Sequence, residues 1–322
     1  MRIDGSELAW ARTLVGRWVP PTPLYAWPLL AQAVGTEVWV KHENHTPTGA
    51  FKVRGGLVFA HRLRDRSPEV AGIVSATRGN HGQSLAFAGR VTGLDVTIVV
   101  PHGNSRSKNE AMAALGADLV VHGHDYQSAR ERADELAAER GLTPVPPFHA
   151  DLVLGVATLA AELFDAAPAL DTVYVPVGMG TCISGLMGVR DLYGLDTEIV
   201  GVVAAQAPAT ARSFEQHRVV ATERADTFVD GVAIRQPVAE LVEALCDGAA
   251  RVLSVAEDDV ARAMRLAFDA THNVAEPAGA LALAGLLSEG AAPGRRVAVV
   301  HTGGNVDADV FERVLAGRTP VP

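Results

Sequence analysis

Thr172-Val173-Tyr174-Val175-Pro176-Val177-Gly178-Met179-Gly180-Thr181-Cys182-Ile183-Ser184-Gly185 is the stretch that decides the fold class. Thr172 to Pro176 is a nearly unbroken run of β-branched and aromatic side chains, as in a parallel strand buried on both faces. Gly178 and Gly180 then open a glycine-rich turn, and the residues after it read as a helix. Glycines in such a turn let the backbone come close to a phosphate, whose oxygens accept several amide hydrogens. The spacing matches neither a Walker loop nor the dinucleotide fingerprint closely. A turn that serves packing alone is an equally good reading of these residues in isolation.

The same alternation repeats on both sides. Val38 to Lys41, Gly72 to Ser75, Val96 to Val100 and Asp118 to Val121 read as strands before it, and Ile199 to Val203 and Arg296 to His301 after it. Helices are expected over Gly49 to Asp65, Gly82 to Thr92, Ser105 to Leu115, Tyr126 to Arg140, Leu152 to Asp165 and Glu257 to Asn273. This order predicts an α/β fold of parallel-rich twisted sheets flanked by helices, with ligands at the C-terminal ends of the strands. Pro144, Pro146 and Pro147 break the pattern and mark a crossing between domains.

The chain has 322 residues, 48% hydrophobic and 20% charged, which suits a globular protein with a sizeable core. A net charge of -9 argues against nucleic acid as a partner, and an anionic ligand would need local donors. Two cysteines, Cys182 and Cys246, make no disulfide framework and fit a reducing cytoplasm. Met1 to Glu7 does not read as a signal peptide, and the richest apolar run, Pro277 to Leu287, is too short to span a membrane.

Several other segments can carry chemistry. Pro47-Thr48-Gly49-Ala50-Phe51-Lys52-Val53-Arg54-Gly55-Gly56 puts Lys52 in the first turn of a predicted helix, with Thr48 as a candidate cap. The positive helix end and partial burial both lower the pKa of an amine. A neutral amine condenses with an aldehyde, whereas an ammonium does not. A solvated helix lysine is the plainer alternative. Ser75-Ala76-Thr77-Arg78-Gly79-Asn80-His81-Gly82-Gln83 again passes from strand to helix, where free amides bind carboxylate or phosphate. In Val300-His301-Thr302-Gly303-Gly304-Asn305, Thr302 offers a hydroxyl to a pyridine nitrogen, or the glycines simply form a loop. Glu276 either lies near a cofactor or caps the helix after it.

Taken in this order, the segments resemble the fold-type II pyridoxal-phosphate enzymes, in the threonine/serine dehydratase branch with serine racemase and threo-3-hydroxyaspartate ammonia-lyase. The resemblance runs from Thr22-Pro23-Leu24 to Asn305. It implies the two-domain architecture of the tryptophan synthase β chain. Residues 41–147 would be the small domain, with the Schiff-base lysine and the substrate carboxylate loop. Residues 1–40 and 148–322 would form the large cofactor-binding domain. Lys52 matches the catalytic lysine of the Ser/Ala-Phe-Lys-x-Arg-Gly motif, and Phe51 the residue against the pyridine ring. Asn80 matches the contact to the cofactor's 3-hydroxyl. Gly178, Met179, Gly180 and Thr181 stand in the phosphate loop, followed by Cys182. Thr302 matches the residue at the ring nitrogen. Thr77, Arg78, Gly79, Asn80 and His81 resemble the loop that holds the substrate's α-carboxylate.

Met179 and Thr181 depart from the usual tetraglycine loop, and amide donation survives there if both have negative φ. Arg78 replaces a serine or alanine, which disfavours racemisation. Gln206 stands where metal-activated relatives have glutamate, so no metal site is expected. The resemblance therefore implies an ammonia-lyase that uses pyridoxal 5'-phosphate to turn L-threonine or L-serine into a 2-oxo acid and ammonia. Related substrates are 3-hydroxyaspartate, phenylserine or a hydroxyectoine-pathway intermediate. Racemisation, β-replacement, a nucleotide-binding oxidoreductase and a cofactor binder without catalysis are the alternatives. The implied setting is a cytoplasmic homodimer acting on a small-molecule amino acid, with no membrane partner.

Overall fold

The computed structural model describes residues 2–292 and 294–321. From the N-terminus, α1 (Gly5–Val15), β1 (Leu24–Ala26), α2 (Pro28–Val34) and β2 (Val38–His42) lead into α3 (Lys52–Arg66). Then follow β3 (Gly72–Ala76), α4 (Asn80–Thr92), β4 (Asp95–Val100), α5 (Arg106–Ala114), β5 (Asp118–Val121), α6 (Tyr126–Arg140) and β6 (Thr143–Pro144). The second half runs α7 (Ala150–Ala166), β7 (Thr172–Pro176), α8 (Thr181–Leu192), β8 (Glu198–Ala204), α9 (Ala209–Glu215) and α10 (Ala239–Gly248). It closes with β9 (Arg251–Val255), α11 (Glu257–Thr271), α12 (Pro277–Glu289), β10 (Val297–His301) and α13 (Ala308–Leu315).

The strands form two sheets. The larger has the order β1-β2-β10-β7-β8-β9, and the smaller β5-β4-β3-β6. All described pairings are parallel except β1 on β2. The continuous apolar runs follow from burial on two faces. In β10, Val297 and Val299 pack toward α11 and α12, while Ala298 and Val300 pack toward α7 and α8. Val200 and Val202 of β8 join the first cluster, Ile199 and Val203 the second. The strands missed in the sequence lack this signature. Leu24–Ala26 is a largely exposed edge, Arg251–Val255 is an edge with only its last residue buried, and Thr143–Pro144 is two residues long.

Parallel pairing sends the C-terminal ends of β2, β10 and β7, which are neighbours in the larger sheet, out along one edge. The segments that follow them hold Lys52, Thr302 and the Gly178 turn. The helix after β2 begins at Lys52, three residues later than the sequence suggests. Gly49 adopts φ +66 and Ala50 bridges Gly303. Phe51 N donates to Thr302 O at 3.0 Å, so residues 49–51 are tied to the β10 loop and not yet helical. Thr48 does not cap α3: its hydroxyl turns to Ala50 O at 3.4 Å.

α3 is held where it is by contact between helix backbones. A Cβ on Gly55 would lie 2.8 Å from Leu152 O, and one on Gly155 only 2.7 Å from Gly55 Cα. α3 and α7 therefore touch through two glycines, closer than any side chain permits. Gly155→Ala should destabilise the protein by about 2 kcal/mol through overpacking. A denaturant titration checks this, and an unchanged midpoint would show that the helices separate without cost.

Candidate functional site

Only three of the 28 basic side chains are lysines: Lys41, Lys52 and Lys108. Lys41 Nζ pairs with Glu162 Oε2 at 2.6 Å, and Lys108 Nζ with Glu276 Oε2 at 3.3 Å. Lys52 alone has no carboxylate within ion-pair distance among the described residues; its Nζ lies 4.7 Å from the centre of the Phe51 ring. Burial pushes its amine below the usual 10.5, against the opposing pull of Cys182 and Glu276. Burial lowers Lys41 as well, but that amine is paired; the lysine singled out by the sequence is the one that is both lowered and unpaired.

β3 delivers the second segment. Thr77 N donates to Val99 O at 3.1 Å, and Thr77 Oγ1 accepts from Gly79 N at 3.1 Å, which fixes the loop. α4 starts at Asn80, so the first-turn amides of Asn80, His81 and Gly82 have no intrahelical acceptor. His81 is buried, and burial reinforced by the positive charge of Lys52 pushes its pKa down to about 3. It is neutral at physiological pH, and its Nε2 has no partner.

β7 delivers the third. Gly180 takes φ +89, which turns the chain into α8 and leaves the amides of Thr181, Cys182 and Ile183 free at the helix start. Met179 and Thr181 both have negative φ, so the loss of two glycines does not invert the loop. A Cβ on Gly178 would collide with Gly231 O, so this position needs glycine for space. The Cys182 thiol is buried, and burial pushes its pKa up.

Glu276 does not serve as the helix cap. Its side chain makes no capping bond to α12 and instead accepts from Asn80 Nδ2 at 2.5 Å. Asn80 Oδ1 accepts from Asn305 Nδ2 at 2.9 Å. Thr302 is buried, with its hydroxyl at a long 3.3 Å from Ala278 O. Phe51, Lys52, Asn80, the residues 178–182, Glu276 and Thr302 line one pocket. Lys52, Asn80 and Met179 also line a larger cavity of about 350 Å³, together with Thr77, Arg78, Gly79, His81, Lys108 and Asp230. The residues named from the sequence for the cofactor and the substrate therefore line two pockets, both of which Lys52 also lines. Arg78 reaches Asp230 at 3.7 Å, with both side chains about two-fifths exposed at 40% and 39%.

Lys108 and Asp230 escaped the sequence reading, because their partners come from distant segments. The scarcity of lysine was the one available signal for Lys108. A free amine facing two clusters of unused amides suits a ligand that carries both an aldehyde and a phosphate. Pyridoxal phosphate fits these residues.

A family profile described as pyridoxal-phosphate dependent enzyme matches residues 16–303. The L-threonine ammonia-lyase of Thermotoga maritima is 31% identical over 291 residues, 89% of this chain and 72% of that one. The chain spans about half the length of several other curated relatives, such as 56% of a biosynthetic L-threonine dehydratase of Escherichia coli at 30% identity. A solved threonine deaminase isoform from Solanum lycopersicum superposes with a TM-score of 0.88 and 26% identity, covering 98% of this chain and 94% of that one. A pyridoxal 5'-phosphate-dependent aspartate racemase gives a TM-score of 0.91 at 26% identity, covering 96% and 98%. No described helix is long and apolar enough to cross a membrane.

With three lysines, ¹⁵N-lysine labelling gives a resolvable Nζ spectrum of the chain without cofactor. Lys52 should titrate below 10.5. A midpoint at or above that value would mean the amine is solvated or paired.

Proposed function

Because the chain belongs to the pyridoxal-phosphate dependent enzymes, we propose that it acts on a β-hydroxy amino acid of the L-threonine or L-serine type. The α-hydrogen and β-hydroxyl leave as water, and the enamine that remains takes water back and releases ammonia, which gives a 2-oxo acid. The observation that carries this reading is the unpaired, buried amine of Lys52, its pKa lowered by that burial, in the same cavity as the residues 77–81.

Lys52 would hold the aldehyde of pyridoxal phosphate, the amides at the start of α8 with the Gly178 turn its phosphate, Asn80 its phenolic oxygen and Thr302 its ring nitrogen, with Phe51 against the ring. When bound, the cofactor supplies an electron sink for the pair left at Cα. The residues of the chain do the rest. The Thr77–His81 loop grips the α-carboxylate through its amides and orients the Cα–H bond toward Lys52. Lys52 Nζ, whose burial disfavours the ammonium, takes the α-proton as general base. His81, held neutral, adds no competing positive charge beside that amine. A hydroxyl in place of a carboxylate at Thr302 leaves the ring nitrogen largely unprotonated and moderates the sink.

A second, acidic substrate class, 3-hydroxyaspartate, is favoured by Arg78, whose only ion-pair partner among the described residues is the long contact to Asp230. A guanidinium binds a carboxylate through two parallel hydrogen bonds, and Asp230 is too distant to satisfy it in that way. The proposed setting is a cytoplasmic homodimer; exposed Trp18, Tyr25 and Leu29 and two unpaired cysteines support it. The proposed domains are residues 41–147 and residues 1–40 with 148–322. The smaller sheet draws all its strands from the first of these.

Lys52→Ala should fold and lose turnover of threonine and serine by more than about a thousandfold, since tether and base go together. Normal turnover in this variant would end the proposal. Arg78→Ala should cost about 2 kcal/mol, near thirtyfold in kcat/KM, and more for 3-hydroxyaspartate than for threonine. An equal, small change across a substrate panel would leave Arg78 as a mere partner of Asp230.

A further inference from the structure

Lys108 has no part in the chemistry above, yet it is one of three lysines and is buried at the cleft. α5 carries it beneath the Thr77–His81 loop. A Cβ on Gly79 would strike Lys108 Cδ, and one on Gly303 would strike Glu276 Oε1. Two glycines from separate loops thus clear the space in which Lys108 and Glu276 meet. The ion pair is 3.3 Å long, with side chains 8% and 3% exposed. The second oxygen of Glu276 takes Asn80 Nδ2 at 2.5 Å. Asn305 Nδ2 completes the chain by donating both to Asn80 Oδ1 at 2.9 Å and to Thr48 O at 2.8 Å. Lys108 and Asn80 sit on helices that follow smaller-sheet strands, whereas Glu276 and Asn305 flank α12 and β10 at the larger sheet. The chain of contacts therefore spans the cleft.

We propose that Lys108 is a positioning residue: through Glu276 it fixes the orientation of Asn80 toward the cofactor and keeps the carboxylate from pairing with Lys52. The inference rests on the reading of this cavity as the pyridoxal-phosphate site. The physics is one of counter-charge. Burial alone would lower the Lys108 amine, but Glu276, with Asp230 and Asp307 behind it, raises it on balance, so the ammonium persists. A buried carboxylate stripped of its partner is costly and recruits the nearest cation. Glu276 already favours the charged form of Lys52 against its burial. Without Lys108 that pull is unopposed, and Asn80 loses a fixed acceptor.

The test uses the full chain, wild type and Lys108→Met, with pyridoxal phosphate itself as the probe. Spectral titration should show the dissociation constant of the variant raised about tenfold. In ¹⁵N-lysine spectra without cofactor, Lys52 should gain about tenfold in proton affinity. A packing role alone would lower Tm and move neither quantity; that result overturns the inference. If Lys108→Met does not fold, Lys108→Gln, which keeps a polar head, carries the same comparison. A wild type that binds no pyridoxal phosphate would defeat the underlying reading. A wild type that binds it, with unaffected variants, would defeat only the role of Lys108.

Discussion

Burying an ammonium without a counter-charge costs more than the surrounding contacts return, so a buried lysine is either paired or pushed toward its neutral form. The site depends on that constraint. Two of the three lysines are paired, Lys41 with Glu162 and Lys108 with Glu276. Lys52, lying between them in sequence, is left without a partner, and burial tilts it toward the free amine. A reactive amine here needs no special activating group. It needs the nearby carboxylates to be occupied elsewhere.

The fold supplies that condition. Two residues beyond Lys52, Arg54 is fully buried. It takes Glu43 at 2.7 Å and Glu162 at 2.6 Å, while Thr22 adds a hydrogen bond to Glu43 at 2.6 Å. Burial opposes the charge of Arg54, but Glu43 and Glu162 more than offset it and raise its pKa. This network locks the first turn of α3 to β2 and α7, and Gly55 with Gly155 lets the two helix backbones touch. Ser84 Oγ donates to Lys52 O at 2.6 Å, which ties α3 to α4 and so to the loop of residues 77–81. The amine and the proposed carboxylate loop are therefore fixed relative to each other by buried contacts, and the bond-making groups need not find one another by motion.

Much of this was legible in the sequence, for physical reasons. Strands buried on both faces are uniformly apolar, so Thr172–Pro176 has the boundaries expected; Asp118–Val121 also does, although it is a half-exposed edge strand, because its β-branched run is bounded by Gly116 and Gly123. The glycine turns after β3 and β7 mark helix starts because they release the chain from the strand ladder, and the first amides of the helix that follows have no intrahelical acceptor. What stayed hidden depends on contacts between distant residues. α3 starts later than its sequence suggests because the β10 loop captures residues 49–51. The contacts of Glu276 stay hidden because Asn80 and Lys108 reach it from helices beside the smaller sheet. Arg251–Val255 did not read as a strand because an edge strand lacks the double-sided apolar signal.

The central claim is that Lys52, and no other lysine, carries the cofactor. Borohydride reduction of the protein purified with pyridoxal phosphate, followed by peptide mass mapping, tests it directly, since each of the three lysines falls in its own peptide. The account predicts a phosphopyridoxyl group on the peptide that contains Lys52 and on no other. A group on Lys41 or Lys108, or none at all, would contradict it.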